Sequence, residues 1–385
     1  MQQTDALFYF RAREGKLTHP RPEFQDREHL PTIIQQILAI NERQSRLYME
    51  ARPERRQHWC TYPTAFACIK CMDGRVHLPS ITGLPMGLVK PFRAMGGRFE
   101  VWWPAFRKRM HNWVATVQRK YHLPHIPDCP VSCGVLVTYH YSASDPDGAR
   151  HLGCRGWRYD TAAGRAHAER LARDIHDAFM GQAIPFVVGV ETDSRSLIFH
   201  GTEGDVSGMD CVGKSEEEVR WNIVRAFPGV DTQVAHDLVP FLTGNARRVA
   251  DQLTRPRETE ALGHQERVIA IGHGFDYWIS EENLAVVVDD ADPNLDAPIA
   301  AAAAIVAENV AARPVTEETL LLASVPYSVP GIEWNLSVMS AQGLCRYALE
   351  YLPKEFVHVF NGGRLRVLIG VTNEETKLLE PIAYR

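Results

Sequence analysis

The chain reads as an α/β protein of two related halves, each a mainly parallel sheet with flanking helices, preceded by a short helical arm. Three observations predict this. Apolar, β-branched runs such as Gly134 to Tyr139 and Ile184 to Val190 alternate with stretches at helical spacing such as Thr161 to Met180. The same plan restarts after a polar linker at residues 254 to 263. Near the ends of the two halves, Val188-Gly189-Val190-Glu191-Thr192-Asp193 is matched by Ile369-Gly370-Val371-Thr372-Asn373-Glu374.

Composition sets the outer bounds. A chain of 385 residues that is 45% hydrophobic and 23% charged can bury the cores of two or three domains. A net charge of -5 gives no broad basic field, so neither nucleic acid nor an anionic membrane is expected as a partner. Met1 to Arg11 has no charged region leading into a long apolar one, and the apolar run Pro298 to Ala307 falls short of the about 20 residues a membrane span needs. The expectation is a cytoplasmic protein without a transmembrane helix. In that setting the eight cysteines read as thiols or metal ligands rather than a disulfide framework.

Four segments follow. Residues 1–57 form an arm with one helix, Thr32 to Met49; residues 58–210 carry the candidate site; residues 211–263 are a helical connection; residues 264–385 are the second copy. In the first copy, strand Ala65 to Cys71 leads into a loop-rich region with a short strand at Gly87 to Pro91. Phe106, Met110, Trp113 and Val117 then mark a helix over Ala105 to Tyr121. Ser215 and Glu218 form a capping box, and a second helix of the connection spans Asp231 to Leu253. In the second copy, strands are expected at Val268 to Ile271, Leu284 to Val288, Thr319 to Val325 and Leu365 to Val371. Helices are expected at Ala297 to Ala311 and Asn335 to Tyr351.

The chemistry concentrates in Cys71-Met72-Asp73-Gly74-Arg75. A thiolate at a strand's end is a soft metal ligand, a carboxylate two residues on can orient a water, and a guanidinium can clamp that carboxylate. Alone, a cysteine ending a buried strand is more often plain core. Further donors are His140, which closes the strand Gly134 to Tyr139, and Cys154 beyond the next loop; His151 is a rival to His140. A closed structural site from Cys68, Cys71, Cys129 and Cys133 is the alternative, but Cys68 and Cys71 point to opposite faces of a strand. The second copy has Gly272-His273-Gly274 and Pro326-Tyr327-Ser328 where the set would stand, so its chemistry is expected to be lost.

Several elements occur in a fixed order: Cys-x-Asp-Gly-Arg at 71–75, Pro-x-Gly-x-Val at Pro85 to Val89, Tyr-His-x-Ser-x-x-Asp-Pro at Tyr139 to Pro146, a Gly-Cys, and Gly-Val-x-Thr-Asp at Gly189 to Asp193. Together they resemble the β-class carbonic anhydrases, and most of all their divergent branch, the carboxysomal shell carbonic anhydrases. The resemblance implies two β-carbonic-anhydrase-like halves, the second degenerate. It implies Zn2+ held by Cys71, His140 and Cys154, with His151 as alternative to His140. Asp73 would hydrogen-bond the zinc-bound water, and Arg75 would fix Asp73. The activity implied is that of a lyase, carbonate dehydratase, interconverting carbon dioxide and bicarbonate by attack of zinc-bound hydroxide.

For so small a substrate the pocket should be narrow and apolar, with Met72, Val89, Phe92 and Gly96 as candidate lining. His77 is the histidine nearest the motif and a candidate proton shuttle, although a plain surface histidine is the simpler reading. The resemblance further implies a homodimer, with the degenerate half standing where a β-class partner subunit would. A carboxysome location, or Rubisco association through the arm, stays open, because the amino-terminal region is much shorter than the family's helical domain. A zinc hydrolase for carbonyl sulfide or carbon disulfide would need the same ligands.

Overall fold

The computed structural model describes residues 30–121, 132–254, 263–279, 281, 283–311, 317–355 and 364–385. In chain order, helices α1 (Thr32–Glu50) and α2 (Arg52–Thr61) precede strand β1 (Ala65–Cys71), helix α3 (Leu78–Thr82), strand β2 (Val89–Ala94) and helix α4 (Pro104–Tyr121). Then come β3 (Cys133–Tyr141), α5 (Thr161–Ala178), β4 (Ala183–Glu191), β5 (Ser196–Gly201) and β6 (Gly204–Ser207). The connection holds α6 (Glu216–Ala226), α7 (Thr232–Asp237) and α8 (Val239–Thr254). The second half runs β7 (Val268–Gly272), β8 (Ala285–Val288), α9 (Asp296–Ala311), β9 (Thr319–Tyr327), α10 (Ile332–Glu355), β10 (Leu365–Asn373) and β11 (Leu379–Tyr384).

Two sheets result, ordered β2-β1-β3-β4-β5-β6 and β11-β10-β9-β7-β8. Read from the inner strand outward, both follow one plan: the first strand of the half is flanked by the second and third in parallel, the fourth is parallel to the third, and an antiparallel strand follows. The registers match as well. Nine-residue β3 pairs with nine-residue β4 from Cys133 against Ala183 to Tyr141 against Glu191; β9 pairs with β10 from Thr319 against Leu365 to Tyr327 against Asn373. In the first sheet Ile69 faces Val137, and in the second Ile271 faces Ala323. Superposed by register, His273 stands where Cys71 stands and Pro326 where His140 stands. Among the described residues, the second sheet thus has neither the cysteine nor the histidine at these two positions.

The strands are buried on both faces, as parallel sheets require, which is why they read as continuous apolar runs. On one face of the second sheet, α1 buries Ile33, Ile34, Ile37 and Leu38 against Val268, Leu320 and Leu368. Its Asn41 donates to Lys377 O at 2.9 Å and accepts from Leu379 N at 2.8 Å. The arm helix is thus packing material of the second half. On the other face, α9 and α10 bury Ile299, Ala303, Ala341 and Cys345 in a core that also includes Cys71, Met72 and Cys154.

Three departures from the sequence expectation have physical causes. The strand expected to stop at Pro91 starts at Val89 and continues to Ala94, because β2 is an edge strand and a proline's missing N–H costs nothing on the open side. The helix expected over Asp231 to Leu253 is two, α7 and α8. Pro240 lies in the first turn of α8, where its lack of an N–H is harmless, whereas inside one continuous helix it would break a bond. A second helix, α2, follows the arm helix with a proline in its own first turn. Cys129, most of the linker 254–263 and residues 1–29 of the arm lie outside the described residues. No helix among the described residues is long and apolar enough to cross a membrane.

Candidate metal centre

Strands β1 and β3 lie side by side in a sheet whose order reverses at this point, and the crevice at their carboxyl ends is where open α/β sheets place ligands. Cys71 is the last residue of β1, His140 the last but one of β3, and Cys154 arrives from the loop that follows. Their donor atoms all lie within 4.8 Å of one another, and all three residues are buried. The two sulfurs are 3.9 Å apart. Sulfurs that share a tetrahedral zinc at about 2.3 Å each would be about 3.8 Å apart, so the pair fits such an ion.

Neither ring nitrogen of buried His140 has a hydrogen-bond partner among the described residues, so one of them is free to bind a metal ion. The sulfur contact with Cys154 holds the Cys71 thiol well below its ordinary value despite burial, while the same contact and burial push Cys154 up. This soft, partly ionised donor set can hold a metal ion. His151 is not part of it: exposed, with φ at +60°, it stacks on Tyr159 with ring centres 4.7 Å apart. Nor do the described cysteines of the closed alternative, Cys68, Cys71 and Cys133, gather. Cys133 pairs with Ala65 at the far end of β1, and Cys68 packs on the opposite face with Leu136 and Val188, its thiol pushed up to about 11 by burial.

Arg75 clamps Asp73. Arg75 Nη2 donates to Asp73 Oδ2 at 2.7 Å, and both its Nε and its backbone N–H donate to Oδ1, at 3.0 and 2.9 Å. Burial alone would raise the carboxyl, but the guanidinium overrides it and keeps Asp73 well below the usual carboxylate range. Asp73 Oδ2 lies 3.6 Å from His140 Nε2, beside the donor set and held away from joining it. The other donors of Arg75 reach Leu152 O at 2.7 Å and Gly153 O at 3.1 Å. Those carbonyls are presented by a turn that Asp145 shapes, its carboxylate accepting from Arg150 N and Leu152 N.

The second half closes the site from behind. His264 Nε2 lies 3.2 Å from Arg75 Nη2 and 3.7 Å from Asp73 Oδ2. Its Nδ1 meets the fully buried Glu266 at 3.1 Å, and Glu266 also accepts from Gly74 N at 3.2 Å. Met72 O accepts from Val287 N at 3.0 Å, and a Cβ added to Gly74 would stand 2.8 Å from Ala285 O. Beneath the motif, Arg93 donates to Cys71 O and Asp73 O and pairs with Asp276, which also binds Lys70 at 2.5 Å. The sequence reading missed His264, Glu266 and Asp276; a His-x-Glu just ahead of a buried strand was the available signal for the first two.

The predicted pocket residues separate. Met72 is buried in the core shared with the second half. Gly96, with φ at +69°, accepts from Trp157 Nε1 at 2.7 Å and packs against the backbone of Gly156, two residues past Cys154. Phe92 lies instead in an aromatic cluster with Phe99 and Phe106 under α4. Val89 is a correction: it pairs with Phe66, five residues up β1 from Cys71, which at about 3.3 Å per residue puts it some 16 Å from the site. His77 is neither a surface group nor fit for shuttling. It is 2% exposed, its Nδ1 meets Ser80 Oγ at 2.7 Å, and burial with Lys70 nearby pushes its pKa down to about 3.

No family model matches the chain. Among curated proteins, the carboxysome shell carbonic anhydrase of Prochlorococcus marinus (strain MIT 9313) is 24% identical to it over 233 residues. The chain bears a distant resemblance to that family. The matched stretch covers 53% of this chain and 44% of that protein, so this chain spans less than half the length of its relative.

Proposed function

We propose that the chain binds zinc through Cys71, His140 and Cys154 and catalyses the reversible hydration of carbon dioxide to bicarbonate. The observation that carries this is buried His140, without a hydrogen-bond partner among the described residues, facing two cysteine sulfurs 3.9 Å apart. Zinc on three protein ligands lowers the pKa of a bound water to about 7 and so supplies a hydroxide nucleophile at neutral pH.

The chain's own residues would do the rest. Asp73, kept ionised and turned aside by Arg75, accepts the nucleophile's hydrogen bond and aims its lone pair at the substrate carbon. Because both carboxylate oxygens are engaged by Arg75, Asp73 would stay beside the three ligands as a hydrogen-bond acceptor rather than join them. His264 meets Arg75 Nη2 and is itself held by Glu266, so it would help keep the guanidinium in place. Association with a carboxysome shell belongs to the same proposal and is supported by the relative's name alone.

Stopped-flow carbon dioxide hydration by the zinc-loaded protein, with Cys71→Ala as control, tests the reading. A rate well above buffer that vanishes in the variant is expected. Full zinc occupancy with no rate above the variant would overturn it and turn attention to carbonyl sulfide or carbon disulfide.

A further inference from the structure

In the turn between β10 and β11, Lys377 stands at φ +62°, a left-handed conformation that a lysine seldom takes. The fold fixes it there. Its N–H donates to Asn373 O at 2.8 Å, its carbonyl accepts from Asn41 Nδ2 at 2.9 Å, and the carbonyl of Thr376 before it accepts from Ser45 Oγ at 2.8 Å. The residue is 8% exposed. Its Nζ lies over the rings of Tyr277 and Tyr48, 4.1 and 5.4 Å from their centres. Ring faces attract a cation but offer no lone pair to it. No carboxylate or carbonyl accepts a hydrogen bond from this Nζ among the described residues.

Lys70 shows what a buried lysine ordinarily has, for it meets Asp276 at 2.5 Å. Around Lys377 the charges are Glu374 on the same turn, Lys90 on β2 and Arg55 on α2, two cations to one carboxylate. Glu374 is itself engaged by Ser328 Oγ at 2.7 Å. Burial therefore outweighs Glu374 and pushes the Lys377 amine down to about 8. At pH 8 about half of it is the neutral, nucleophilic amine, against under about 1% for an ordinary lysine near 10.4. Tyr277 also lines a narrow cleft whose other walls include Leu78, Val89 and Pro91. A small uncharged molecule enters such surroundings far more readily than an anion does.

We propose that Lys377 Nζ is a carbon dioxide acceptor that forms a carbamate. The lone pair of the neutral amine forms an N–C bond to the carbon of carbon dioxide, one C=O electron pair moves onto oxygen, and the nitrogen releases one proton to water. The sum is amine plus carbon dioxide giving carbamate plus a proton. Lys90 and Arg55 favour the new negative charge, and Glu374 opposes it. The step turns a cation held over Tyr48 of α1 and Tyr277 of the second half into an anion that ring faces repel. Carbon dioxide would thus act on the seam between the arm helix and the second half. No atom of the zinc site takes part.

Trapping tests it. The full chain is equilibrated with isotopically labelled carbon dioxide at a fixed dissolved concentration, treated with triethyloxonium ion, which esterifies carbamates, and digested for mass spectrometry. At pH 8 Lys377 is expected to carry at least about tenfold more label than the exposed Lys108 and Lys214, and its label should rise from pH 7 to pH 9. Lys90→Gln, which removes a cation near the amine, should lower the label at least about threefold. Glu374→Gln, which removes the opposing carboxylate, should raise it at pH 7 by at least about threefold. A lysine that is only accessible would respond to neither. Cys71→Ala should be labelled as the wild type is, so a failure of the zinc reading and a failure of this one are told apart. Label on Lys377 no greater than on Lys108 and Lys214, or label indifferent to both charge variants, would overturn the proposal.

Discussion

Arg93 and Asp276 come from different halves of the chain and meet in a forked ion pair, Nη2 to Oδ1 at 2.8 Å and Nε to both carboxylate oxygens at 3.0 Å. Arg93 spends its remaining reach on the carbonyls of Cys71 and Asp73, so the second half holds the backbone of the metal motif through one guanidinium.

Asp276 is the sole acidic partner shown for both Lys70 and Arg93 among the described residues, and all three are buried. Replacing it by asparagine leaves two cations without their counter-charge. Urea unfolding of Asp276→Asn should show a loss of about 3–5 kcal/mol, the range for breaking a buried pair from one side.

His77 should make stability depend on pH. Its folded-state pKa, about 3, lies below the ordinary imidazole value near 6.5, so below pH 6.5 the unfolded chain takes up the proton first. Its contribution is complete above that pH and is lost as pH falls towards 3. Between pH 7 and pH 5 this amounts to about 2 kcal/mol, and His77→Gln should reduce the wild-type loss over that interval by this amount in urea titrations at the two pH values.

Zinc content separates the two candidate histidines. His140→Ala should bind zinc at least about a hundredfold more weakly than wild type, measured by competition with a chromogenic chelator, for want of its third ligand. His151→Ala, at an exposed site outside the set, should hold one zinc per chain as the wild type does.

Arg75→Lys tests the clamp. Lysine keeps the charge but cannot reach both oxygens of Asp73 and the carbonyls of Leu152 and Gly153 together. Zinc should stay bound while the hydration rate falls about a hundredfold, the order seen when one oriented group of a charge-stabilising site is lost.

How far the sequence could be read depended on distance along the chain. The parallel strands and crossover helices follow from runs of four to twenty-four residues, and Cys71, Asp73 and Arg75 share one turn, so local pattern was enough. His140 was legible because it ends an apolar strand. His264 and Asp276 lie some two hundred residues from the groups they touch, and nothing in their own neighbourhoods announces the charges waiting for them. For the same reason His77 looked like a surface group: its burial is imposed by Asp276 and its surroundings in the other half. Val89 was offered as pocket lining because it is apolar and close to the motif in sequence, and only the strand register shows how far along β1 it lies.

Gly74 shows what this division of labour entails. The carbonyl of Ala285 sits where its side chain would be, and its N–H is taken by Glu266. The glycine inside the metal motif is therefore a joint, and the surface it presents is already spoken for by the half that has no ligands. Cut free, the first half would expose an unanswered N–H and a bare seam beside Cys71 and Cys154. The second half thus serves the first as scaffold along the line where the two touch.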